Sequence, residues 1–138
     1  MIERYSREKM KNIWEINSKF DYYLKVELAV CDAYAELGQF PKEAVEKIKK
    51  LAKFEVNRID EIEREVNHDV IAFLTNVNEN LVEELAKYIH VGLTSSDVID
   101  TAMALQIQDA GKIINEDLNN VINSLKTLAE KHKKTICI

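Results

Sequence analysis

Hydrophobic side chains recur every three or four residues along most of this chain, a spacing typical of helices with one buried face. The first long segment ends at Gly38 and carries Phe20, Leu24, Leu28, Cys31 and Ala35. Shorter segments of the same kind follow at 44–52, 59–66, 70–77 and 81–88. Ser6 and Asp69 are predicted helix caps, and Pro41 is predicted at the first position of a helix. The pattern therefore predicts an all-α fold.

The longest hydrophobic pattern begins after Thr94-Ser95-Ser96, three hydroxyl residues that favour a helix start. Its apolar positions are Met103, Ile107, Ala110, Ile114, Leu118, Val121, Leu125 and Leu128. One helix of about 35 residues, about 50 Å long, is expected. Short helices cannot cover so broad an apolar surface, which predicts a partner helix from another chain or from further sequence. We divide the chain into a small helical domain at 1–93 and the start of a helical bundle at 94–138.

The composition and charge of the chain argue against several classes of function. The chain has 138 residues, with 19 Lys and Arg against 24 Asp and Glu, which gives no support to a basic nucleic-acid-binding domain. The longest apolar run, at 70–74, is too short for a membrane span, and the charged start does not resemble a signal peptide. We therefore expect a cytoplasmic protein without nucleic-acid or membrane partners. The apolar, β-branched residues 135–138 are unusual for a free terminus and suggest the front part of a longer protein.

The cysteines and histidines do not form a metal-binding pattern. Cys31 lies within a helical segment, Cys137 is next to the last residue, and the three histidines are dispersed. A zinc site needs a denser cluster of these residues. We expect two reduced structural thiols and no metal.

Four clusters could carry chemistry. Arg4-Tyr5 could hold a phosphate while the ring packs on a base or sugar, or could be a solvated Arg beside a packing Tyr. His68-Asp69 lies at a helix junction and is either an acid–base pair or a cap with an exposed ring. His90, taken alone, gives no signal.

The hydroxyl run at 94–96 is the most informative of the four clusters. Backbone N–H groups at a helix start attract anions, and the hydroxyls of Thr94 and Ser95 add donors for a carboxylate. Simple N-capping would need one hydroxyl only. Composition and spacing alone thus support a helical oligomerising module with a candidate anion site.

Longer motifs carry a resemblance to a known family. The runs MIERYS at 1–6, NHDVIAF at 67–73 and HVGLTSSDVIDTA at 90–102 resemble adenylosuccinate lyases, members of the fumarase/aspartase superfamily. The three runs occur in the family's order with near-family spacing, and the third, which enters the long helix, is the most specific.

The resemblance implies a β-elimination that cleaves adenylosuccinate into AMP and fumarate, with a parallel cleavage of the succinylated aminoimidazole carboxamide ribotide of purine biosynthesis. It implies no cofactor and a homotetramer whose sites are built from several subunits. His68 would be the acid or a stabilising cation. The substrate-binding positions would be Arg4, Tyr5, Asn67, His68, Asp69, His90, Thr94 and Ser95, with Arg4 at the phosphate and the two hydroxyls at a succinyl carboxylate.

The chain also departs from the family. Family members often have Arg where Asn67 stands, and they continue beyond the position of Ile138 into a second catalytic histidine and a serine-bearing loop. We therefore expect this chain alone to be inactive. The alternatives are another superfamily member, such as a carboxymuconate cycloisomerase or an argininosuccinate lyase, and a non-catalytic helical module.

Overall fold

Every regular element in the computed structural model, which describes residues 2–136, is helical. A 3₁₀ turn precedes seven α-helices: Glu3–Tyr5, then α1 Glu8–Trp14, α2 Ile16–Glu36, α3 Lys42–Leu51, α4 Val56–Val66, α5 Asp69–Asn78, α6 Glu83–Ala86 and α7 Ser95–Lys131. The predicted all-α fold is confirmed, and α7 has 37 residues where about 35 were expected from its pattern. Within the described range, no helix has both the length and the apolar character needed to cross a bilayer.

Some predicted helix ends differ from the observed ones. Arg7 is the N-cap of α1, while the Ser6 hydroxyl donates to the Ile2 carbonyl at 2.9 Å. Pro41 is the N-cap of α3 and not its first helical residue. The segment predicted at 81–88 forms only the four-residue α6. Local capping signals compete at such ends, so shifts of one or two residues are ordinary.

The core lies between α2, α5 and the beginning of α7. Phe20 and Phe73 stack with their ring centroids 5.5 Å apart, and Tyr23 meets Phe73 edge-on at 5.6 Å. Val98 and Ala102, in the first turns of α7, are fully buried in the same cluster. This packing fixes the start of α7 against the start of α5, where the candidate site lies.

Burial along α7 is confined to its first half. Its buried residues are Val98, Ala102, Gln106 and Ala110. The apolar face of α7, as we call its exposed large side chains, consists of Met103, Ile107, Ile114, Leu118, Val121, Ile122, Leu125 and Leu128. Each is about half exposed, which confirms the prediction that the short helices do not cover this surface.

Candidate active site

His68 stands at the turn between α4 and α5. Asn67 ends α4 in the left-handed conformation, with φ of 54°, and His68 follows as the N-cap of α5. The His68 Nδ1 accepts a hydrogen bond from the Ile71 N–H at 3.3 Å. The prediction that Asp69 caps this helix is wrong, because its Oδ1 instead accepts from the neighbouring Val70 N–H at 2.8 Å.

The other ring nitrogen of His68 faces the start of α7. His68 Nε2 lies 3.5 Å from the hydroxyl oxygen of Ser95, the first residue of α7. Since Nδ1 accepts from the backbone, the hydrogen of the neutral ring belongs on Nε2, which makes Ser95 Oγ the acceptor. The structure thus brings together two predicted site residues that are 27 positions apart. We call this arrangement the His68–Ser95 junction.

Thr94 and Asp97 form a capping box at the start of α7. Asp97 Oδ2 accepts from the Thr94 N–H at 2.7 Å and from the Thr94 hydroxyl at 3.1 Å. The Thr94 hydroxyl is therefore engaged within its own helix turn. Ser95 is the hydroxyl that faces the histidine, beside the N–H groups of the first helical turn.

Asp69 lies beside the His68 ring, with its Oδ1 3.7 Å from His68 Nδ1, and it also lines a small cavity of about 330 Å³. Its Oδ2 lies 3.8 Å from Lys19 Nζ, which also lies 5.2 Å from the centre of the Tyr23 ring. Burial, with a smaller contribution from the Asp69 charge, raises the pKa of Tyr23 to about 12. A lysine, a carboxylate and a protonated phenol therefore line one cavity beside the junction. The sequence reasoning missed Lys19 and Tyr23, which carry no motif of their own.

Asn67 lies at the edge of this region, and its Nδ2 donates to the Glu65 carbonyl at 3.4 Å. Its side chain opens on a recess shared with Asp60, Glu63 and Arg64. In this structure Asn67 terminates a helix, and a contact with substrate stays a prediction.

His90 lies in the loop before α7 and is held by Glu27 of α2. The His90 Nδ1 is 2.7 Å from Glu27 Oε1, and the His90 N–H donates to Glu27 Oε2 at 2.9 Å. Sequence reasoning did not assign Glu27 to the site. A signal existed, because Glu27 is an acidic residue one turn before Cys31 on the apolar side of α2. Burial, followed by the Glu27 charge, raises the pKa of the Cys31 thiol to about 11, as expected of a structural cysteine.

Arg4 and Tyr5 lie on the 3₁₀ turn, where the guanidinium carbon is 4.8 Å from the centre of the Tyr5 ring. Tyr5 is 75% exposed. The stacked pair is open to solvent and presents a cation and an aromatic face together.

The 3₁₀ turn lies near the middle of α7, far from its start. Helix α1 runs antiparallel to α7: Gln106 Nε2 donates to the Ile13 carbonyl at 2.8 Å, and Arg7 pairs with Asp117. Ser95 and Asp117 are separated by about 33 Å along the helix axis at 1.5 Å per residue. The structure therefore does not bring Arg4-Tyr5 to the His68–Ser95 junction of the same chain.

Within residues 2–136, no group of three or more His, Cys, Asp or Glu side chains could hold a metal ion. Cys137 lies outside the described residues.

Curated relatives match the chain from end to end. It is 51% identical over 138 residues to the adenylosuccinate lyase of Synechocystis sp.. Over 136 residues it is 47% identical to the adenylosuccinate lyase of Staphylococcus saprophyticus and 46% identical to that of Bacillus subtilis. These matches cover 99–100% of this chain but only 31–32% of each relative, so the chain spans about a third of their length.

A solved structure and a family model agree with this similarity. The crystal structure of a fumarate lyase from Mesorhizobium sp. BNC1 matches 94% of this chain and 31% of its own, with a TM-score of 0.84 and 27% identity. The family model described as Lyase matches residues 3–138. The helices and the His68–Ser95 junction all lie inside that matched range, and the chain belongs to this lyase family.

Proposed function

We propose that this chain supplies part of the active site of an adenylosuccinate lyase, which releases fumarate from adenylosuccinate and from the succinylated aminoimidazole carboxamide ribotide. The observation that carries the proposal is the His68–Ser95 junction, where a histidine lies beside the start of a long helix. The chain that contains it is about half identical to adenylosuccinate lyases. The whole enzyme would be a homotetramer. The cytoplasmic location and the boundary between 1–93 and 94–138 stay predictions.

The geometry supports distinct roles in a β-elimination. The hydroxyl of Ser95 and the first N–H groups of α7 would bind a succinyl carboxylate, where the helix dipole favours negative charge. A base outside residues 1–138 would remove the proton from the succinyl carbon, and negative charge would develop on the carboxylate beside the helix start. As the C–N bond breaks, His68 in its imidazolium form would give its Nε2 proton to the departing nitrogen and return to the neutral ring, or would stabilise that nitrogen as a cation.

The other site residues would bind the nucleotide. Arg4 would hold its phosphate with Tyr5 against the sugar or base, because a guanidinium matches phosphate geometry. Thr94 would reach the carboxylate only by exchanging its hydrogen bond with Asp97, so Ser95 is the first hydroxyl to contact it. Asp69, Asn67 and His90 would complete the wall of the site.

A chimera tests this proposal. We would join residues 1–138 of this chain to the remaining sequence of the Synechocystis relative and follow fumarate release from adenylosuccinate optically. The chimera should be active, and its His68→Gln variant should lose at least about 100-fold in kcat, the usual contribution of a general acid. His132→Gln, at the distant end of α7, is the matched control and should leave kcat unchanged.

Two results would contradict the proposal. A folded chimera without activity would favour a non-catalytic helical module, and a His68→Gln chimera with undiminished kcat would remove His68 from the chemistry. The 138-residue chain alone should release no fumarate, because the proposal assigns the base to a residue outside 1–138.

A further inference from the structure

Glu27 carries a carboxylate that is almost completely enclosed, with 1% of the residue exposed. Both hydrogen bonds of this carboxylate within residues 2–136 go to His90, one to the ring at 2.7 Å and one to the backbone N–H at 2.9 Å. A buried carboxylate is costly unless its oxygens are hydrogen-bonded. The place of Glu27 in the core therefore depends on His90.

The loop that carries His90 is fixed from several sides. His90 has φ of 63°, and Gly92 follows with φ of 73°, where an added Cβ would come within 2.6 Å of Tyr34 Oη. Cys31, one turn after Glu27 on α2, donates its thiol hydrogen to the Tyr88 carbonyl at 3.5 Å. Since α2 holds the loop at Tyr88 and again at His90, the backbone of His90 is held beside Glu27.

We propose that Glu27 is a positioning residue, which holds the hydrogen of the neutral His90 ring on Nδ1 and leaves the lone pair on Nε2. An ionised carboxylate can only accept hydrogen bonds, so the His90 N–H and Nδ1 must both donate. Nε2 has no hydrogen-bond partner in the part of the chain that the structure describes, and 21% of the side chain is exposed. Nε2 is then free to accept a hydrogen bond or a proton from a bound substrate.

The two histidines predicted for the site thereby carry opposite tautomers. His68 Nδ1 accepts from the Ile71 N–H, which leaves the hydrogen on Nε2 and makes that nitrogen a donor. His90, held by Glu27, offers an acceptor instead. The assignment of these two roles to one substrate rests on the proposed function, whereas the tautomers themselves do not.

Nitrogen NMR of the 138-residue chain tests the inference. Long-range ¹H–¹⁵N correlations would be recorded on labelled chain at about pH 8.5, where an ordinary imidazole is neutral. Signals lost in the His68→Gln and His132→Gln variants belong to those two rings, and the remaining imidazole signals are assigned to His90. In the wild-type chain His90 should show a pyrrole-type shift at Nδ1 and a pyridine-type shift at Nε2.

Glu27→Gln should exchange the two shifts. The Gln amide has nearly the same shape, its oxygen can still accept the His90 N–H, and its NH₂ can now donate to Nδ1, which moves the ring hydrogen to Nε2. Glu36→Gln, an exposed acidic residue at the end of the same helix, is the matched control and should leave the His90 shifts unchanged.

A pyridine-type Nδ1 in the wild-type chain would overturn the inference, and this result needs no variant to fold. Retention of the Nδ1 hydrogen in a folded Glu27→Gln chain would overturn it as well, because a merely structural Glu27 would not control the tautomer. An inactive chimera would contradict the proposed function but would leave these spectra as expected, so the two failures are distinguishable.

Discussion

Among residues 2–136, the residues other than glycine with positive φ are Asn67 and His90, and both are predicted site residues. The left-handed conformation is costly for most L-residues, while Asn and Gly adopt it most readily. Asn67 occupies it directly before His68, so the turn that aims the His68 ring depends on the backbone of Asn67. Its first physical role is therefore conformational.

The stability of the chain should reflect this role. Replacing Asn67 with Ala should lower the free energy of unfolding by about 1 kcal/mol, because Ala lacks the side chain that eases the left-handed region. Asn67→Gly, the matched control for backbone conformation, should leave that free energy unchanged or raise it slightly. Urea unfolding of the three chains measures the difference, and equal midpoints for Ala and Asn would contradict the account.

Single residues also mark the limit of sequence reasoning at the site. The motifs at 67–69 and 94–95 identify His68 and Ser95 as separate candidates. The sequence pattern does not predict that packing of the core brings His68 Nε2 to 3.5 Å from Ser95 Oγ. Glu27 illustrates the opposite case. The sequence shows an acidic side chain on an apolar helix face, but it does not identify the partner of Glu27, which is His90, 63 positions away.

At the scale of the elements, the helices could be predicted because their signals are local. Apolar spacing predicted the segments, and Gly38 ends α2 with φ of 73° as expected of a glycine stop. The ends were less predictable, because Ser6, Pro41 and Asp69 each compete with a neighbour for the capping position. The order in which helices pack is a property of the whole core and has no such local signal.

The apolar face of α7 is a hydrophobic surface that this fold leaves exposed. Its side chains beyond Ala110 lie along four or more helical turns without contact to the core. Exposed apolar stripes of this length associate with a complementary surface, and in a single purified protein the available surface is a second copy.

We therefore expect the isolated chain to self-associate. In sedimentation velocity it should move as a species larger than the monomer, and Ile114→Lys with Leu118→Lys should shift it towards the monomer by placing two charges on the stripe. Asn119→Lys, on the exposed polar side, is the matched control and should leave the distribution unchanged. A strict monomer at high concentration would show that this surface does not drive association.

At the scale of the whole molecule, Arg4-Tyr5, the proposed nucleotide-binding pair, and the His68–Ser95 junction lie at different positions along the axis of α7. Arg7 and Lys9 pair with Asp117 and Glu116, which holds the 3₁₀ turn alongside the middle of the helix. The start of α7 lies about 33 Å away along the axis. If both groups serve one substrate, as we propose, they must come from different copies of the chain.

Mixing two inactive chimeras tests this central claim most directly. Arg4→Gln and His68→Gln chimeras, carrying different tags, would be refolded together in equal amounts, and fumarate release would be compared with each alone. If the two chimeras assemble at random, about one quarter of the unmutated activity should return. In one site of four, the copy that supplies Arg4 and the copy that supplies His68 both carry the intact residue. Mixed assemblies, verified by co-purification of both tags, that remain as inactive as either variant would contradict the claim, because one copy would then supply both residues.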